Sequence, residues 1–299
     1  MYRGENKGIL WSKIYMTGRK VLVYTVLVLL SLLCLFTVYI LLINSTRSHV
    51  GLLKGFQAWP GTSFGRNFKN IFFSAGEKSF EQIYKTSFLI GMRNSFIVAI
   101  LNTFCCVYFS TVVAYGIHMY RFKLRNAAFT FILVIMMIPT QVSTAGFITM
   151  CYQFKWVNHF FPLILPSIAA PVTFFYIKQY MESVLPFEMV EAARVDGAGE
   201  LRIFHQIILP VMKPALAVQI IFAFVASWNN YFLPQLVLTN AKVKTLPIVV
   251  ASLRSATNAD IDYGMIYTVI FLAIVPLVIV YFIFSRFIMK GLTLGAVKG

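Results

Sequence analysis

The sequence predicts an all-α integral membrane protein with six transmembrane helices, both termini in the cytoplasm and a cytoplasmic helix between spans 4 and 5. Composition is the first observation behind this. Apolar residues make up 59% of the 299-residue chain, charged residues 12%, and the mean hydropathy is +0.76. A soluble domain carries about 25% charge. The second is where charge is missing. Residues 21–46, 94–120, 126–154, 156–177, 214–241 and 263–285 contain no Asp, Glu, Lys or Arg, and each run has at least 22 residues. A helix needs roughly 20 residues to cross about 30 Å of hydrocarbon, and a charge at mid-span costs at least about 2.5–3.5 kcal/mol. Six such helices cannot all be buried in a soluble protein, because the rest of the chain is too short to surround them.

The predicted elements follow in chain order. Residues 1–20 are basic, with Ile9, Leu10, Trp11, Ile14 and Tyr15 interspersed, which suits a short interfacial helix or a frayed tail. Span 1 covers 21–43. Its apolar run exceeds the about 7–15 residues of a signal-peptide core, so it reads as a retained anchor. An outer loop, 44–93, holds the turn Trp59-Pro60-Gly61 and reads as short helices rather than a folded domain. The core occupies 94–290, with span 2 at about 94–119, span 3 at about 127–149 and span 4 at about 158–177. A loop at 178–213 follows, then span 5 at about 214–238, span 6 at about 264–285 and a cytoplasmic tail, 291–299. Prolines 139, 162, 166, 171, 234 and 276 lie in the inner spans, where freed carbonyls must find protein or a water cavity.

Orientation comes from the basic residues. Cytoplasmic termini place 15 Lys and Arg inside and 11 outside, seven of the latter in the long 44–93 loop. The sharpest sign is the short loop 120–126, with Arg121, Lys123 and Arg125, because short loops dominate the positive-inside rule. The net charge of +16 is spread over every loop and suits an anionic lipid surface, with no need for nucleic acid.

The 178–213 loop is the most informative segment. Five of the ten acids (Glu182, Glu188, Glu191, Asp196 and Glu200) fall within 19 residues there. Pro186 suits a first helical turn, Glu188 favours a helix N-terminus, and Gly197 suits the left-handed position just past a helix end. These signals predict a helix over 186–196 and a second over 200–209, ended by Pro210. Ala192 and Ala193 let a partner backbone come close, and Glu191 offers a charge to an Arg or Lys across the contact.

The spacing Glu191-Ala192-Ala193, three residues, Gly197, nine residues, Ile207, one residue, Leu209-Pro210 fixes seven positions over 20 residues. It resembles the cytoplasmic loop signature of ABC importer permeases. Arg194-Val195-Asp196-Gly197-Ala198, Leu209-Pro210 through Leu216, Ser227-Trp228-Asn229 with Pro234, and the tail Gly291-Leu292 to Gly299 resemble the carbohydrate branch, in particular the second permease of maltose-type systems. The resemblance covers about residues 90–299 and implies a multi-pass subunit of a bacterial or archaeal cytoplasmic membrane. It also implies a heterodimer with a second permease, two ATPase subunits, an external sugar-binding protein and a sugar substrate. It places the docking of the ATPase on Glu191, Ala192, Ala193, Arg194, Asp196, Gly197 and Ala198. A tail contact with the ATPases falls on Gly295, Ala296, Val297, Lys298 and Gly299.

Other chemistry is not legible. The chain has no G-x-x-x-x-G-K-[ST] phosphate loop, so ATP and magnesium are expected on partner subunits and no cofactor on this one. No acid lies within a predicted span, which argues against a proton- or sodium-driven carrier. His118 and His159 near span ends read as interfacial. Cys34, Cys105, Cys106 and Cys151 show no metal or disulfide pattern, and no catalytic grouping is visible, so the chain is expected to be non-enzymatic. The densest polar and aromatic group in a span is Ser227, Trp228, Asn229, Asn230 and Tyr231. With Asn102, Gln141 and Gln235 these are candidates for a substrate path, and each could equally be a hydrogen bond between helices.

Overall fold

The computed structural model describes the backbone of residues 5–73, 79–254 and 262–296, and the side chains of 16–73, 87–140, 142–253 and 262–287. Every regular element among them is helical. The chain divides into two compact units, residues 1–72 with 260–271, and residues 73–259 with 272–299.

The first unit starts with α1 (Glu5–Ser45), a single helix of 41 residues. The expected separate interfacial helix at 1–20 is therefore not distinct, since residues 5–20 continue into the span. After α1 come the short α2 (His49–Leu53) and α3 (Phe64–Phe73). The unit closes on the first turns of α15 (Tyr263–Ala296). Arg47 is buried, and its guanidinium donates to the Gln57 side chain and the Trp59 carbonyl. Asn67, also buried, donates to the carbonyls of Ser45 (3.1 Å) and Arg47 (2.8 Å). Thr268 donates to the same Ser45 carbonyl at 3.0 Å. Asn67 and Thr268 thereby satisfy carbonyls at and just past the end of α1.

The second unit is built on α4 (Ser79–Met119), which starts well before the expected 94. The expected third span, 127–149, is two helices, α5 (Arg125–Met136) and α6 (Thr140–Gln153), with Pro139 at the break. Proline has no N–H to continue the ladder and clashes with the preceding turn. Next are α7 (Phe161–Ile164), a 3₁₀ turn (Leu165–Ile168) and α8 (Pro171–Val184). The 178–213 loop contains α9 (Phe187–Val195), α10 (Glu200–Ile203), a π turn (Phe204–Ile208) and α11 (Leu209–Val211). The expected continuous helix over 200–209 thus contains a π turn. Finally α12 (Lys213–Trp228), α13 (Phe232–Val237), a 3₁₀ turn (Ala241–Val243) and α14 (Leu246–Arg254) precede the rest of α15.

Four segments are long and apolar enough to cross a membrane: Met16–Ser45, Ser87–Met119, Phe161–Val184 and Tyr263–Phe287. Glu200–Val211 and Lys213–Trp228 meet that test only as a pair bent by 81°, and Arg125–Met136 is shorter. Pro276 lies inside α15 without ending it.

The core of the second unit joins α4, α8 and the loop. Ala114, Tyr115, Ile117, Phe174, Ile177 and Met181 pack with Val190, Ala193, Ile203, Phe204, Ile208 and Met212. Burying these side chains holds the loop against two spans. Asn94, buried near the other end of α4, donates to the carbonyls of Lys242 (3.1 Å) and Lys244 (2.9 Å). Ser95 Oγ beside it accepts from the Leu246 N–H at 2.8 Å.

Candidate functional site

Helix α9 has one face in the protein and one outside. Val190 and Ala193 are buried, while Glu191, Ala192, Val195 and Asp196 are exposed. This follows from helix geometry, because 190 and 193 share a side and 191, 192 and 195 fall opposite it. Pro186 caps the helix, Asp196 ends it, and Gly197 turns the chain with φ +80°. The Ala198 N–H then bonds back to the Ala193 carbonyl at 3.0 Å, closing the helix end. Val195 is 88% exposed and Leu201 78%. The result is a knob with an apolar crown, three acids (Glu188, Glu191 and Asp196) outside any ion pair among the described residues, and no Cβ at its apex.

A charged brace holds the knob. Arg194 Nε donates to Glu200 Oε1 at 2.8 Å across the Gly197 turn. Tyr115 of α4 donates to Glu200 Oε2 at 2.7 Å, and the Arg194 guanidinium lies 5.3 Å from the centre of the Tyr120 ring. The Arg194 hydrogen bond, helped by those of Tyr120 and Tyr115 and opposed by partial burial, holds the Glu200 carboxyl down at about 2. The residue types gave no hint of Tyr115 and Tyr120 as partners, because the contact spans 85 residues of sequence. His118 is a second such case. Expected at an interface, it is buried, hydrogen-bonded to the Leu185 carbonyl (3.1 Å) and stacked on Phe187. It fixes the entry to α9 rather than facing lipid headgroups. Lys178 also had no assigned role. It is buried, paired with Glu182 at 2.6 Å and placed over the Phe129 ring.

The candidate substrate-path residues separate into two groups. Asn102 donates to the Leu163 carbonyl at 2.8 Å, tying α4 to α7. Trp228 is buried, stacks on Phe224 and donates to the Ala273 carbonyl of α15 at 3.0 Å. These two side chains are joints between helices. Asn229, Asn230, Tyr231 and Gln235 are exposed around the break between α12 and α13, and Ser227 is half-buried. The side chain of Gln141 lies outside the described residues. So do Val297, Lys298 and Gly299, while Gly295 and Ala296 are described only as the backbone end of α15. No group of three or more His, Cys, Asp or Glu able to hold a metal exists among the described residues.

Residues 107–293 match the family of binding-protein-dependent transport system inner-membrane components. The chain is 32% identical over 274 residues to the arabinooligosaccharides transport system permease protein AraQ of Bacillus subtilis, covering 91% of this chain and 93% of that one. It is 28% identical to the sn-glycerol-3-phosphate transport system permease protein UgpE of Salmonella typhi, covering 92% and 96%. A bacterial ABC transporter structure involved in import of the polysaccharide alginate shares the fold, with a TM-score of 0.75 at 18% identity over 92% of this chain and 96% of that one.

This chain belongs to the family of binding-protein-dependent transport system inner-membrane components. It is the non-catalytic permease subunit of an ABC importer, multi-pass in the cytoplasmic membrane. It works with a second permease subunit, with ATPase subunits that hydrolyse ATP, and with a substrate-binding protein.

Proposed function

We propose that this subunit carries a sugar or oligosaccharide into the cytoplasm, and that its 186–209 knob is where the ATPase docks. The knob carries the reading. Its outer face (Glu191, Ala192, Val195, Asp196, Gly197 and Leu201) is exposed among the described residues, and its inner face (Val190, Ala193, Ile203 and Phe204) is packed on α4 and α8. A load applied to the outer face therefore moves the spans. The likeness to the arabinooligosaccharide permease supports the sugar class. We read six spans with both termini inside, the broken α5–α6 supplying span 3 and α12–α13 span 5, supported by the basic loop 120–126. The 295–299 tail is read as a second contact with the ATPases.

In operation, ATP closes the ATPase subunits, the knob follows, and the permease pair turns from inward- to outward-facing. The binding protein releases its sugar into the opened cavity, and hydrolysis resets the pair. This chain does no chemistry on the solute. Glu191→Lys tests the docking role, because it reverses the exposed charge without touching the packed face. Uptake is expected to be lost with the protein still in the membrane. Normal uptake would overturn the assignment.

A further inference from the structure

Two of the larger cavities of the second unit have almost wholly apolar walls and suit a polar solute poorly. The one of about 450 Å³ is walled by Phe96, Phe104, Val107, Leu216, Ile220 and Phe284 among others. A smaller cleft of about 270 Å³ is different. Tyr231, Gln235, Thr239, Lys244 and Ser252 line it, over a floor that includes Leu238 and Ile248. It lies between α13 and α14, next to the break where α12 ends.

Its walls are fixed by bonds that engage the Thr239 hydroxyl but leave the side chains of Tyr231, Gln235 and Lys244 available. The Asn158 carboxamide oxygen accepts from the backbone N–H of Thr239 and of Asn240, both at 2.8 Å. Asn158 adopts φ +64° to do so. Asn94 holds the Lys244 carbonyl at 2.9 Å from within α4. Ser252 Oγ gives its proton to the Val249 carbonyl at 2.8 Å, so it faces the cleft as an acceptor. The side chains of Tyr231, Gln235 and Lys244 have no hydrogen-bond partner among the described residues. Tyr231, Gln235, Lys244 and Ser252 thus line one small volume over an apolar floor. Few polar groups at fixed positions over apolar surface is the make-up of a small-molecule site. The volume is below the roughly 300–1,000 Å³ of drug-sized pockets, so it takes one ring or one chain end.

We propose that the Tyr231–Gln235–Lys244–Ser252 cleft is a subsite for a single polyhydroxylated unit of the transported solute. Tyr231 offers its ring face and hydroxyl, Gln235 and Lys244 donate to hydroxyl oxygens, and Ser252 accepts from a hydroxyl proton. With the orientation proposed above the cleft stands at the outer mouth, where released solute arrives. Asn102 and Trp228, committed to helix joints, take no part. The sugar identity rests on the Proposed function; the cleft's role as a hydroxyl site does not.

Saturation-transfer NMR on the purified full transporter tests this with three probes: arabinotriose, lactose and sn-glycerol 3-phosphate. Tyr231→Ala and Lys244→Gln are compared with wild type, and with Tyr231→Trp, which keeps an aromatic face. Co-purification of the ATPase checks that each variant is assembled. The expected result is a sugar signal reduced at least fivefold in Tyr231→Ala and Lys244→Gln and largely retained in Tyr231→Trp. A response to glycerol phosphate alone, lost in Lys244→Gln, would uphold the subsite and overturn the sugar reading. Signals that do not differ between wild type and the assembled variants for any probe would overturn the subsite.

Discussion

Arg194 and Glu200 are paired across the Gly197 turn, Nε to Oε1 at 2.8 Å, and the other oxygen of the same carboxylate is held by Tyr115 of α4. The 186–209 knob and α4 therefore share one carboxylate. Exposed pairs contribute only about 0.2–1 kcal/mol, and both partners here are more than a third exposed or close to it. The brace is thus more important for position than for stability. Glu200→Gln is expected to leave the chain folded and bound to its ATPase but to lower uptake per ATP hydrolysed by a factor of about 1.4 to 5, the equivalent of that energy range. The exchange Arg194→Glu with Glu200→Arg should recover part of the loss. Uptake and hydrolysis measured together in proteoliposomes check this; unchanged coupling in Glu200→Gln would refute it.

The pH dependence has a definite sign. The Glu200 carboxyl sits at about 2 in the folded chain against an ordinary value of 4.5. A depressed folded-state value means that the contribution is complete above 4.5 and is lost as pH falls towards 2. The difference in thermal midpoint between wild type and Glu200→Gln in detergent is expected to be constant from pH 7 to about 5 and to shrink below about 4.5. A difference that changes between pH 7 and 5 would point to another group.

Gly197 stands at φ +80°, and a Cβ built there meets nothing within 4 Å. Its requirement is conformational, not steric. A left-handed backbone costs a residue with a Cβ roughly 1–2 kcal/mol, less for Asn. Gly197→Val should therefore weaken ATPase co-purification more than Gly197→Ala, and Gly197→Asn least. Equal retention of the ATPase by all three would show that the turn need not be left-handed.

How much of this was legible in the sequence depends on the reach of each signal. Local punctuation worked. Pro186, Glu188 and Gly197 placed α9 within a residue or two, because caps and turns depend on immediate neighbours. Charge-free runs marked the apolar segments, but they could not tell one helix from two. Pro139 ends α5's course where the composition of 127–149 reads as continuous. The packing partners were invisible. Tyr115 with Glu200, His118 with Leu185, and Asn94 with Lys244 join residues 85, 67 and 150 positions apart, and nothing local to either partner encodes the match.

Trp228 is a structural joint, and its replacement should behave as one. Trp228→Phe keeps the ring packed on Phe224 and removes the 3.0 Å bond to the Ala273 carbonyl. Bonds of this type between membrane helices are worth about 0.6–2 kcal/mol. The variant is expected to lose a few degrees in thermal midpoint while keeping its order of preference among sugars. A changed order of preference would return Trp228 to the solute path.

Gly264 gives the sharpest stability prediction in the first unit. It is the second residue of α15, where Asp262 Oδ1 accepts from its N–H at 2.8 Å and caps the helix. A Cβ there would overlap the Arg47 carbonyl oxygen and stand 3.0 Å from Asn67 Nδ2. Neither neighbour can move freely. The Arg47 carbonyl is backbone, and Asn67 is buried and already bonded to two carbonyls. Gly264→Ala must therefore push α15 away from the end of α1 or break the Asn67 bonds, and overpacking of this kind costs about 1–3 kcal/mol. Gly65, on α3 of the same unit, has no atom within 4 Å of its built Cβ and is the control. Gly264→Ala is expected to lower the yield of folded protein and its thermal midpoint, and Gly65→Ala to leave both unchanged. Size-exclusion profiles and thermal unfolding of the two purified variants decide it; equal behaviour would mean that this junction yields more easily than its bonding indicates.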